Sequence, residues 1–159
     1  MKLSNLRPAV FIVVYSKDGN KIYYLLLKRK LHWKGWEFSK GKIESGESKE
    51  KAVRRETKEE TGLKILKIKK FNFSGKYFYH RKLPDRADYI GQTFMLFSAE
   101  VKKGKIKLDK KEHSSHKWLE FNDAVKKLKW KNQKKSLRIV DEFLRKKDSA
   151  RKLAIFIKE

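Results

Sequence analysis

Three carboxylates lie close together in the stretch RRETKEETGL, residues 54–63, of a chain whose formal net charge is +24. If this stretch is helical, Glu56, Glu59 and Glu60 share one face and repel one another unless a cation lies between them. Hard divalent cations prefer such oxygen ligands. The spacing therefore indicates a metal site on a helix. The alternative is an acidic face exposed to solvent and softened by pairing of Arg55 with Glu59.

The pattern around these carboxylates extends over residues 41–63, GKIESGESKEKAVRRETKEETGL. It resembles the Nudix box, G-x5-E-x7-R-E-U-x-E-E-x-G-U, in which U is an aliphatic residue. The matching positions are Gly41, Glu47, Arg55, Glu56, Glu59, Glu60, Gly62 and Leu63. Thr57 occupies the first aliphatic position, a departure that concerns packing rather than chemistry. By this resemblance the chain is identified as a member of the Nudix superfamily, and Glu47 is expected to pair with residues of the helix and loop.

The resemblance implies hydrolysis of a phosphoanhydride bond in a substrate linked to a nucleoside diphosphate, with Mg²⁺ or Mn²⁺ as the cofactor. Such cations neutralise phosphate oxygens and lower the pKa of a bound water. The implied metal ligands are the carbonyl oxygen of Gly41 and the carboxylates of Glu56, Glu59 and Glu60. Gly41 lacks a side chain, so its carbonyl group can approach a cation closely. Arg55 would orient Glu56, and Arg55, Glu56 and Glu59 are the catalytic candidates on the helix.

The segment WEFSKGKIESGE, which overlaps the start of the box, is similar to the same segment of dinucleoside tetraphosphate hydrolases and their diphosphoinositol-polyphosphate relatives. Ser39 stands where those proteins have proline, and Lys42 stands where they have histidine. Lys40 matches, and its ammonium group could reach a bridging or terminal phosphate as a point charge. We therefore predict that Lys40 binds substrate; the alternative is an ordinary surface lysine on a very basic chain.

A second region that resembles the same hydrolases covers residues 111–144, where an EH pair precedes a W-L strand, a short helix and a closing helix. In those relatives a glutamate on this loop joins the metal cluster or activates water. The matching residue is Glu112, which is therefore predicted to be a metal ligand and a catalytic residue. The alternative is that Glu112 is simply one charged residue among several in DKKEHSSH, without a catalytic role. His113 and His116 are given no specialised role.

Aromatic and basic residues between these regions, in KYFYHRKLPDRADYIGQTFMLF, are candidates for substrate binding. Tyr77, Tyr79 and Tyr89 could stack on a base, and His80 and Arg81 could lie near phosphates. Alternating aromatic residues on a strand also serve as core or as sheet surface. The IGQ…F run within this segment is similar to bacterial RNA 5′ pyrophosphohydrolases. Of these residues, Tyr77, Tyr79 and His80 are the predicted substrate contacts.

Several functions are compatible with these motifs. The leading hypothesis is a Nudix pyrophosphohydrolase that cleaves diadenosine tetraphosphate asymmetrically to ATP and AMP. The second is removal of pyrophosphate from RNA 5′ ends, which the positive charge favours because RNA binding draws on phosphate neutralisation. Cleaning of oxidised nucleoside triphosphates has no feature in its favour. A nucleic-acid-binding module on a Nudix scaffold would be expected to have lost carboxylates of the box, all of which are present.

Periodicity and turn chemistry predict the elements that must position these residues. Strands are predicted at residues 9–15, 21–28, 63–73, 76–82, 89–101 and 117–120. Helices are predicted at residues 49–61, 123–128 and 133–146, with caps at Ser48, Gly62 and Asn122. The connection over residues 32–48 reads as a loop. A central helix flanked by strands and a closing helix predict the α/β (α+β) class, an α/β/α sandwich around a mixed sheet, in one domain over residues 1–159.

Composition indicates where the protein acts and which partners it binds. The chain has no cysteine, and its apolar runs are too short to span a bilayer. With no signal peptide recognisable, a soluble cytoplasmic protein without a membrane partner is expected. A pI of about 10.1 indicates polyanionic partners, a nucleotide, a dinucleoside polyphosphate or RNA, unless the lysines merely coat the surface. The apolar tail LAIFI, residues 153–157, is expected to pack on its own domain in a monomer, or else to form the contact of a homodimer.

Overall fold

The computed structural model describes residues 5–158, within which the chain forms seven strands, three helices and one 3₁₀ turn. The strands are β1 (Leu6–Asp18), β2 (Lys21–Arg29), β3 (Gly35–Glu37), β4 (Ser39–Lys42), β5 (Ile65–Phe78), β6 (Gly91–Val101) and β7 (His113–Leu119). The helices are α1 (Lys49–Thr61), α2 (Phe121–Lys127) and α3 (Lys131–Lys158), and the 3₁₀ turn is Pro84–Arg86. The carboxylates at positions 56, 59 and 60 therefore lie on α1, as predicted.

The seven strands belong to one mixed sheet in which β1 is central. β1 pairs in parallel with β6 and antiparallel with β2 and β4. β2 contacts β1 only near their hairpin, from Tyr15↔Tyr24 to Asp18↔Lys21, and its other half pairs with β3 and β7. The two long strands therefore diverge, and a cleft with lining residues from β1, β2, β4 and β5 lies where they separate.

Two hydrophobic cores lie on opposite faces of this sheet. Successive side chains of a strand point to opposite faces, and β1 follows this rule. Phe11 and Val13 pack in the core that contains residues of α2 and α3, whereas Val10 and Ile12 pack in the core that contains residues of α1. Helices therefore cover both faces, which confirms the predicted α/β/α sandwich around a mixed sheet.

Helix α1 begins and ends at the predicted caps. The Ser48 hydroxyl accepts a hydrogen bond from the backbone N–H of Lys51 at 3.2 Å. Gly62 adopts the left-handed conformation, with φ 72°, and its N–H donates to the carbonyl of Lys58. Glycine adopts this conformation without the steric cost that a Cβ atom brings. The local sequence therefore determines both ends of the helix that carries the acidic residues.

The two strands predicted at residues 63–73 and 76–82 are instead one strand, β5, paired with β6. The register shifts between Lys70 and Ser74, so the strand is irregular without being interrupted. A Cβ atom at Gly75 would lie 2.8 Å from the Phe94 ring, so this glycine allows close packing of an aromatic ring rather than a break.

Three other elements differ from prediction. The loop predicted at residues 32–48 contains β3 and β4, because β2 and β1 each offer a free edge to pair with. β7 begins at His113 rather than at residue 117, since it pairs with β2 over that length. α2 begins at Phe121, before the predicted cap Asn122, and its N-cap residue, Glu120, makes no capping hydrogen bond through its side chain.

The closing helix α3 is longer than the predicted range of residues 133–146. Leu137, Val140 and Leu144 are buried against the sheet, as their spacing predicted. The helix continues to Lys158, and its final turns are exposed: the exposed fraction is 59% for Leu153 and 76% for Phe156. The expectation that the apolar tail packs on its own domain is therefore wrong. Within residues 5–158, no helix is both long and apolar enough to cross a membrane.

Candidate active site

The three carboxylates of α1 lie at different depths. The helix packs with Val53 and Thr57 buried, and Glu60 lies on the same side with 2% of its surface exposed. The Glu59 side chain is 56% exposed, and the Glu56 side chain is 13% exposed. Within residues 5–158, neither carboxylate oxygen of Glu60 has a hydrogen-bond partner. A buried carboxylate without a donor is costly unless a cation or a proton neutralises it.

The pKa values of these carboxyl groups reflect this shortage of positive charge. Burial raises the pKa of Glu60 well above its usual range, and the charges of Glu56 and Glu112 raise it further. Burial also raises the pKa of Glu56 to about 7, although the hydrogen bond and charge of Arg55 oppose the rise. Like charges and a low dielectric both disfavour the ionised form. A divalent cation would supply the missing positive charge.

The backbone of Gly41 lies directly against Glu56. β4 pairs with β1 through Val10↔Gly41, and α1 packs over this edge. A Cβ atom at position 41 would overlap the carboxyl group of Glu56. A larger residue at position 41 would therefore displace the Glu56 side chain, and the two residues predicted to bind the metal are in contact.

Arg55 joins the loop of the box to the helix. Its Nε and Nη2 donate to the two carboxylate oxygens of Glu47 at 2.8 and 2.9 Å, and Nη2 also donates to the carbonyl of Lys42 at 2.7 Å. Its Nη1 donates to Glu56 at 2.7 Å and to Glu59 at 3.3 Å. The hydrogen bonds from Arg55 lower the pKa of Glu47 to about 2. Arg55 therefore orients Glu56 by direct contact, and Glu47 pairs with the helix.

Glu112 approaches the carboxylates of α1 from the loop that precedes β7. Glu60, Glu112 and His113 each offer one ligand atom, and these atoms all lie within 4.8 Å of one another. His113 is fully buried, and its Nδ1 has no hydrogen-bond partner in the described part of the chain. The structure therefore brings Glu112 to the predicted metal site, and it adds His113, to which the sequence motifs assigned no role.

Glu37, in β3, is the centre of a buried group of charged residues that the motifs did not reveal. Its Oε2 lies 3.2 Å from Nη1 of Arg29 and 2.8 Å from Nε2 of His113. Its Oε1 lies 3.3 Å from Nζ of Lys40. Burial alone would raise the pKa of Glu37, but Lys40, His113 and Arg29 outweigh it and lower the pKa to about 2. The single hint in the sequence is an acidic residue between two aromatic residues, Trp36 and Phe38.

A cleft of about 790 Å³ opens beside this charged group. All four predicted substrate contacts line it: Lys40, Tyr77, Tyr79 and His80. Nζ of Lys40 lies 5.8 Å from the centre of the Tyr77 ring. His80 stacks on Trp130, with ring centres 6.1 Å apart. The cleft therefore combines aromatic surfaces with positive charge, a combination suited to a nucleoside attached to phosphates.

Two tryptophans form one wall of the cleft. Trp33 meets Trp130 edge to face, with ring centres 5.4 Å apart, and Nζ of Lys129 lies 4.8 Å from the centre of the Trp130 ring. Sequence patterns did not identify Trp130 as a site residue, because it lies between α2 and α3, far along the chain from Trp33. Only the packing of α3 against the sheet brings them together.

Tyr79 is held at the cleft wall by a polar network. Its hydroxyl donates to Oε1 of Gln92 at 2.9 Å, and the same oxygen accepts from Arg7 at 3.1 Å and from Arg86 at 3.0 Å. Tyr89, another candidate for stacking, does not line the cleft; its ring centre lies 5.7 Å from Nζ of Lys42. The structure therefore separates Tyr89 from the other aromatic candidates.

The raised pKa of Glu56 predicts that the metal-free protein loses stability as the pH rises. At pH values between 4.5, the ordinary pKa of a glutamate, and about 7, the folded state retains a proton on Glu56 that the unfolded state has released. Stability falls with pH wherever the unfolded state binds fewer protons. Glu60 acts in the same direction, and His32, whose pKa is lowered chiefly by burial, acts in the opposite one. For Glu56 alone the loss is about 3 kcal/mol.

Urea unfolding followed by tryptophan fluorescence, in the presence of EDTA and between pH 5 and pH 8, measures this effect directly. The free energy of unfolding of the wild type should fall over this range. Glu56→Gln removes one of the titrating groups and should make the profile shallower. A wild-type profile that is flat, or that rises with pH, would contradict the prediction.

These residues suit a divalent metal. The donors are oxygen atoms that Mg²⁺ and Mn²⁺ favour: the backbone of Gly41 and the carboxylates of Glu56, Glu59, Glu60 and Glu112. The two orphaned oxygens of Glu60 need a cation, and the backbone of Gly41 lies against the Glu56 carboxyl group. The acidic cluster is therefore a fitting site for such an ion.

Known proteins resemble the chain in sequence. The family model described as NUDIX domain matches residues 5–140. The RNA pyrophosphohydrolase of a Nitratiruptor species is 35% identical over 127 residues, which cover 77% of this chain and 78% of that protein. The asymmetrical bis(5'-nucleosyl)-tetraphosphatase of Mus musculus is 27% identical over 133 residues, which cover 83% of this chain and 87% of that protein.

Solved structures resemble the fold as well. The crystal structure of a C. elegans Ap4A hydrolase binary complex has a TM-score of 0.70 and 27% identity, and the match covers 87% of this chain and 98% of that chain. Its name agrees with the tetraphosphatase found by sequence, and both agree with the segments that flank the box. The chain therefore belongs to the Nudix hydrolases, enzymes that cleave phosphoanhydride bonds, and it resembles the Ap4A hydrolases among them in sequence and in fold.

Proposed function

We propose that the protein hydrolyses dinucleoside polyphosphates and cleaves diadenosine tetraphosphate asymmetrically to ATP and AMP. The observation that carries this proposal is the position of Lys40, whose ammonium group lies between the Tyr77 ring of the cleft and the charged group around Glu37. A base in the cleft would then have its phosphates directed toward the carboxylates. The likeness to proteins named for this activity in Mus musculus and C. elegans supports the choice.

The metal would be Mg²⁺ or Mn²⁺, held by the oxygens of Gly41, Glu56, Glu59, Glu60 and Glu112. A bound cation of this kind neutralises phosphate charge and lowers the pKa of a bound water. Arg55 fixes the Glu56 carboxylate, to which it donates at 2.7 Å. Glu56 and Glu112, whose charges are coupled, would receive the proton that water releases.

The cleft residues would bind the nucleotide. The ammonium group of Lys40 donates to phosphate oxygens as a point charge. Tyr77 stacks on one base, and His80 with Trp130 forms a second aromatic surface. Tyr79, held by Gln92, shapes the wall of the cleft. Each of these side chains binds the substrate without taking part in bond cleavage.

Replacement of Tyr77 by leucine is expected to raise KM about tenfold or more while kcat changes little, because the stacking surface is lost and the apolar packing is kept. Tyr89→Leu, which alters a tyrosine outside the cleft, is the matched control and should leave KM within about twofold of the wild type. Steady-state kinetics with diadenosine tetraphosphate measures both. Equal KM values for the two variants would remove Tyr77 from the substrate site.

A competition between substrates tests the proposed activity. The purified protein and Mg²⁺ are mixed with diadenosine tetraphosphate, triphosphorylated RNA, oxidised dGTP and a diphosphoinositol polyphosphate in ¹⁸O-labelled water. Mass spectrometry then identifies the first products. ATP and AMP, with the label in one of them, are the expected result and identify the attacked phosphorus. Pyrophosphate and 5′-monophosphate RNA as the first products would overturn the leading proposal.

Removal of pyrophosphate from RNA 5′ ends is the second candidate function. The specific observations in its favour are the 35% identity to an RNA pyrophosphohydrolase of Nitratiruptor and the net charge of +24. An RNA substrate would contact many phosphates, so its affinity should fall steeply with salt, whereas that of a small nucleotide should fall less. A common salt dependence for triphosphorylated RNA and diadenosine tetraphosphate would speak against an extended RNA-binding surface.

Two further proposals concern the domain organisation and the cellular location of the protein. The chain is proposed to form one domain, which the family match over residues 5–140 supports. The enzyme is proposed to act in the cytoplasm, in keeping with a sequence that contains no cysteine.

A further inference from the structure

The buried carboxylate of Glu37 lies where the substrate cleft meets the metal-binding carboxylates. It contacts Lys40 of the cleft, Arg29, and His113, the neighbour of Glu112 in sequence. Glu37 is fully buried and contacts one residue of the cleft and two residues beside Glu112, so its charge can position groups on both sides. We propose that Glu37 is a positioning residue that holds Lys40 against the cleft and keeps Glu112 available to the metal by retaining Arg29. This inference rests on the proposed function for the role of Lys40 and for metal binding by Glu112.

Arg29 is shared between two carboxylates. Its Nη1 lies 3.2 Å from Oε2 of Glu37 and 3.6 Å from Oε2 of Glu112, and its Nε donates to the carbonyl of Leu31 at 2.9 Å. The Arg29 side chain is 3% exposed, so solvent does little to screen it. If Glu37 lost its charge, Glu112 would remain as the carboxylate within ion-pair distance of Arg29 in the described part of the chain. Arg29 would then compete with the metal for Glu112.

Lys40 is held by Glu37 through charge rather than through an aligned hydrogen bond. Nζ of Lys40 lies 3.3 Å from Oε1 of Glu37, yet this oxygen has no hydrogen-bond partner among residues 5–158. The ammonium N–H groups that this contact leaves unused can donate to a phosphate oxygen. Glu37 places this donor beside the Tyr77 ring.

His113 connects Glu37 to the backbone that carries Glu112. Nε2 of His113 lies 2.8 Å from Oε2 of Glu37, and because the carboxylate can only accept, Nε2 is assigned as the donor. The carbonyl of Glu112 accepts a hydrogen bond from the N–H of Lys30 at 2.9 Å. The start of β7 is thus attached to the residue that follows β2 and to Glu37 of β3. Loss of Glu37 would loosen this attachment as well as release Arg29.

A double variant separates this positioning role from a purely structural one. Glu37→Gln keeps the size of the side chain and removes its charge. Glu37→Gln/Arg29→Gln also removes the cation that would compete for Glu112, and replacement of a buried ion pair by neutral groups is often tolerated. Glu120→Gln, which changes a carboxylate 53% exposed and near Lys21, is the control for the change in net charge.

The first readout is Mn²⁺ affinity without substrate, measured from the electron paramagnetic resonance signal of free Mn²⁺. Glu37→Gln should weaken Mn²⁺ binding by about tenfold, the scale on which groups that orient metal ligands act. Addition of Arg29→Gln should return the affinity to within about threefold of the wild type. Glu120→Gln should leave it unchanged. A double variant that binds Mn²⁺ as weakly as Glu37→Gln would overturn the proposal, because a structural defect is not rescued by a second loss.

The second readout is the KM for diadenosine tetraphosphate. It should rise about tenfold in both the single and the double variant, because each releases Lys40. If Glu37→Gln does not fold, the double variant decides alone: near wild-type Mn²⁺ affinity with a raised KM supports the proposal, and any other combination refutes it. Because Mn²⁺ binding needs no substrate, a failure of the proposed activity would leave the first readout intact. If the wild type cleaves diadenosine tetraphosphate but the Glu37 variants keep its Mn²⁺ affinity and its KM, the positioning role alone is refuted.

Discussion

Glu60→Gln is expected to lower kcat/KM by about 10³-fold, because it removes the most deeply buried of the carboxylates proposed to bind the metal. The substitution keeps the shape of the side chain, so the fold should persist. The metal-free protein at pH 8 should be at least as stable as the wild type, since both Glu60 oxygens lack hydrogen-bond partners among residues 5–158 and the cost of burying or protonating this carboxylate disappears. Activity and stability should therefore move in opposite directions.

Steady-state kinetics with diadenosine tetraphosphate and urea unfolding in EDTA measure the two effects. Glu50→Gln is the matched control, because Glu50 lies on the same helix, has a side chain 61% exposed and pairs only with Arg54 within the described residues. It should alter neither quantity appreciably. Turnover of Glu60→Gln within a few-fold of the wild type would show that Glu60 is not a metal ligand needed for the reaction.

Gly41→Ala is expected to lower kcat/KM and Mn²⁺ affinity together, each by about 100-fold, the upper range for a displaced metal ligand. The new Cβ atom would overlap the Glu56 carboxyl group, which is the mobile end of a side chain rather than backbone. Glu56 can therefore swing away from Arg55 and the other carboxylates, at a small cost to the fold. The loss in function should greatly exceed the loss in unfolding free energy.

The control is Gly104→Ala, because a Cβ atom there meets Leu63 at 3.7 Å, an ordinary van der Waals distance. That variant should retain both Mn²⁺ affinity and turnover. A Gly41→Ala protein with normal metal affinity would mean that the contact between β4 and Glu56 does not shape the site. A protein that loses stability and affinity in equal measure would point to disrupted packing of α1 instead.

Local sequence determined helix α1 and its caps. Ser48 and Gly62 act through hydrogen bonds and a backbone conformation within a few residues of the helix ends, so neighbouring residues suffice to predict them. Strand β5 could not be read in the same way. Two strands were predicted on either side of Gly75, but this glycine lies within one strand, where its lack of a side chain makes room for the Phe94 ring on the neighbouring strand. A contact between strands is invisible to a pattern within one strand.

The carboxylates of α1 were predicted as a metal site from their spacing on one helix, whereas the roles of Gly41 and Arg55 followed from the resemblance to the Nudix box. Arg55 contacts Glu47 and Glu56 as the resemblance implied. The approach of Glu112 to Glu60 followed from a resemblance, and its geometry depends on the pairing of β7 with β2. Their assignment as metal ligands stays a prediction until metal affinity is measured on the variants described above.

The sequence by itself determined the reaction class, the helix that carries the acidic residues and the sandwich fold, because a motif and its periodicity are local properties of the chain. Only the tertiary structure decided which charges meet. Arg29, Glu37 and His113 come from β2, β3 and β7, and each would read as an ordinary charged residue on its own strand. The charges of these residues neutralise one another because strand pairing brings them together and excludes water. Which buried charges become partners therefore depends on the fold.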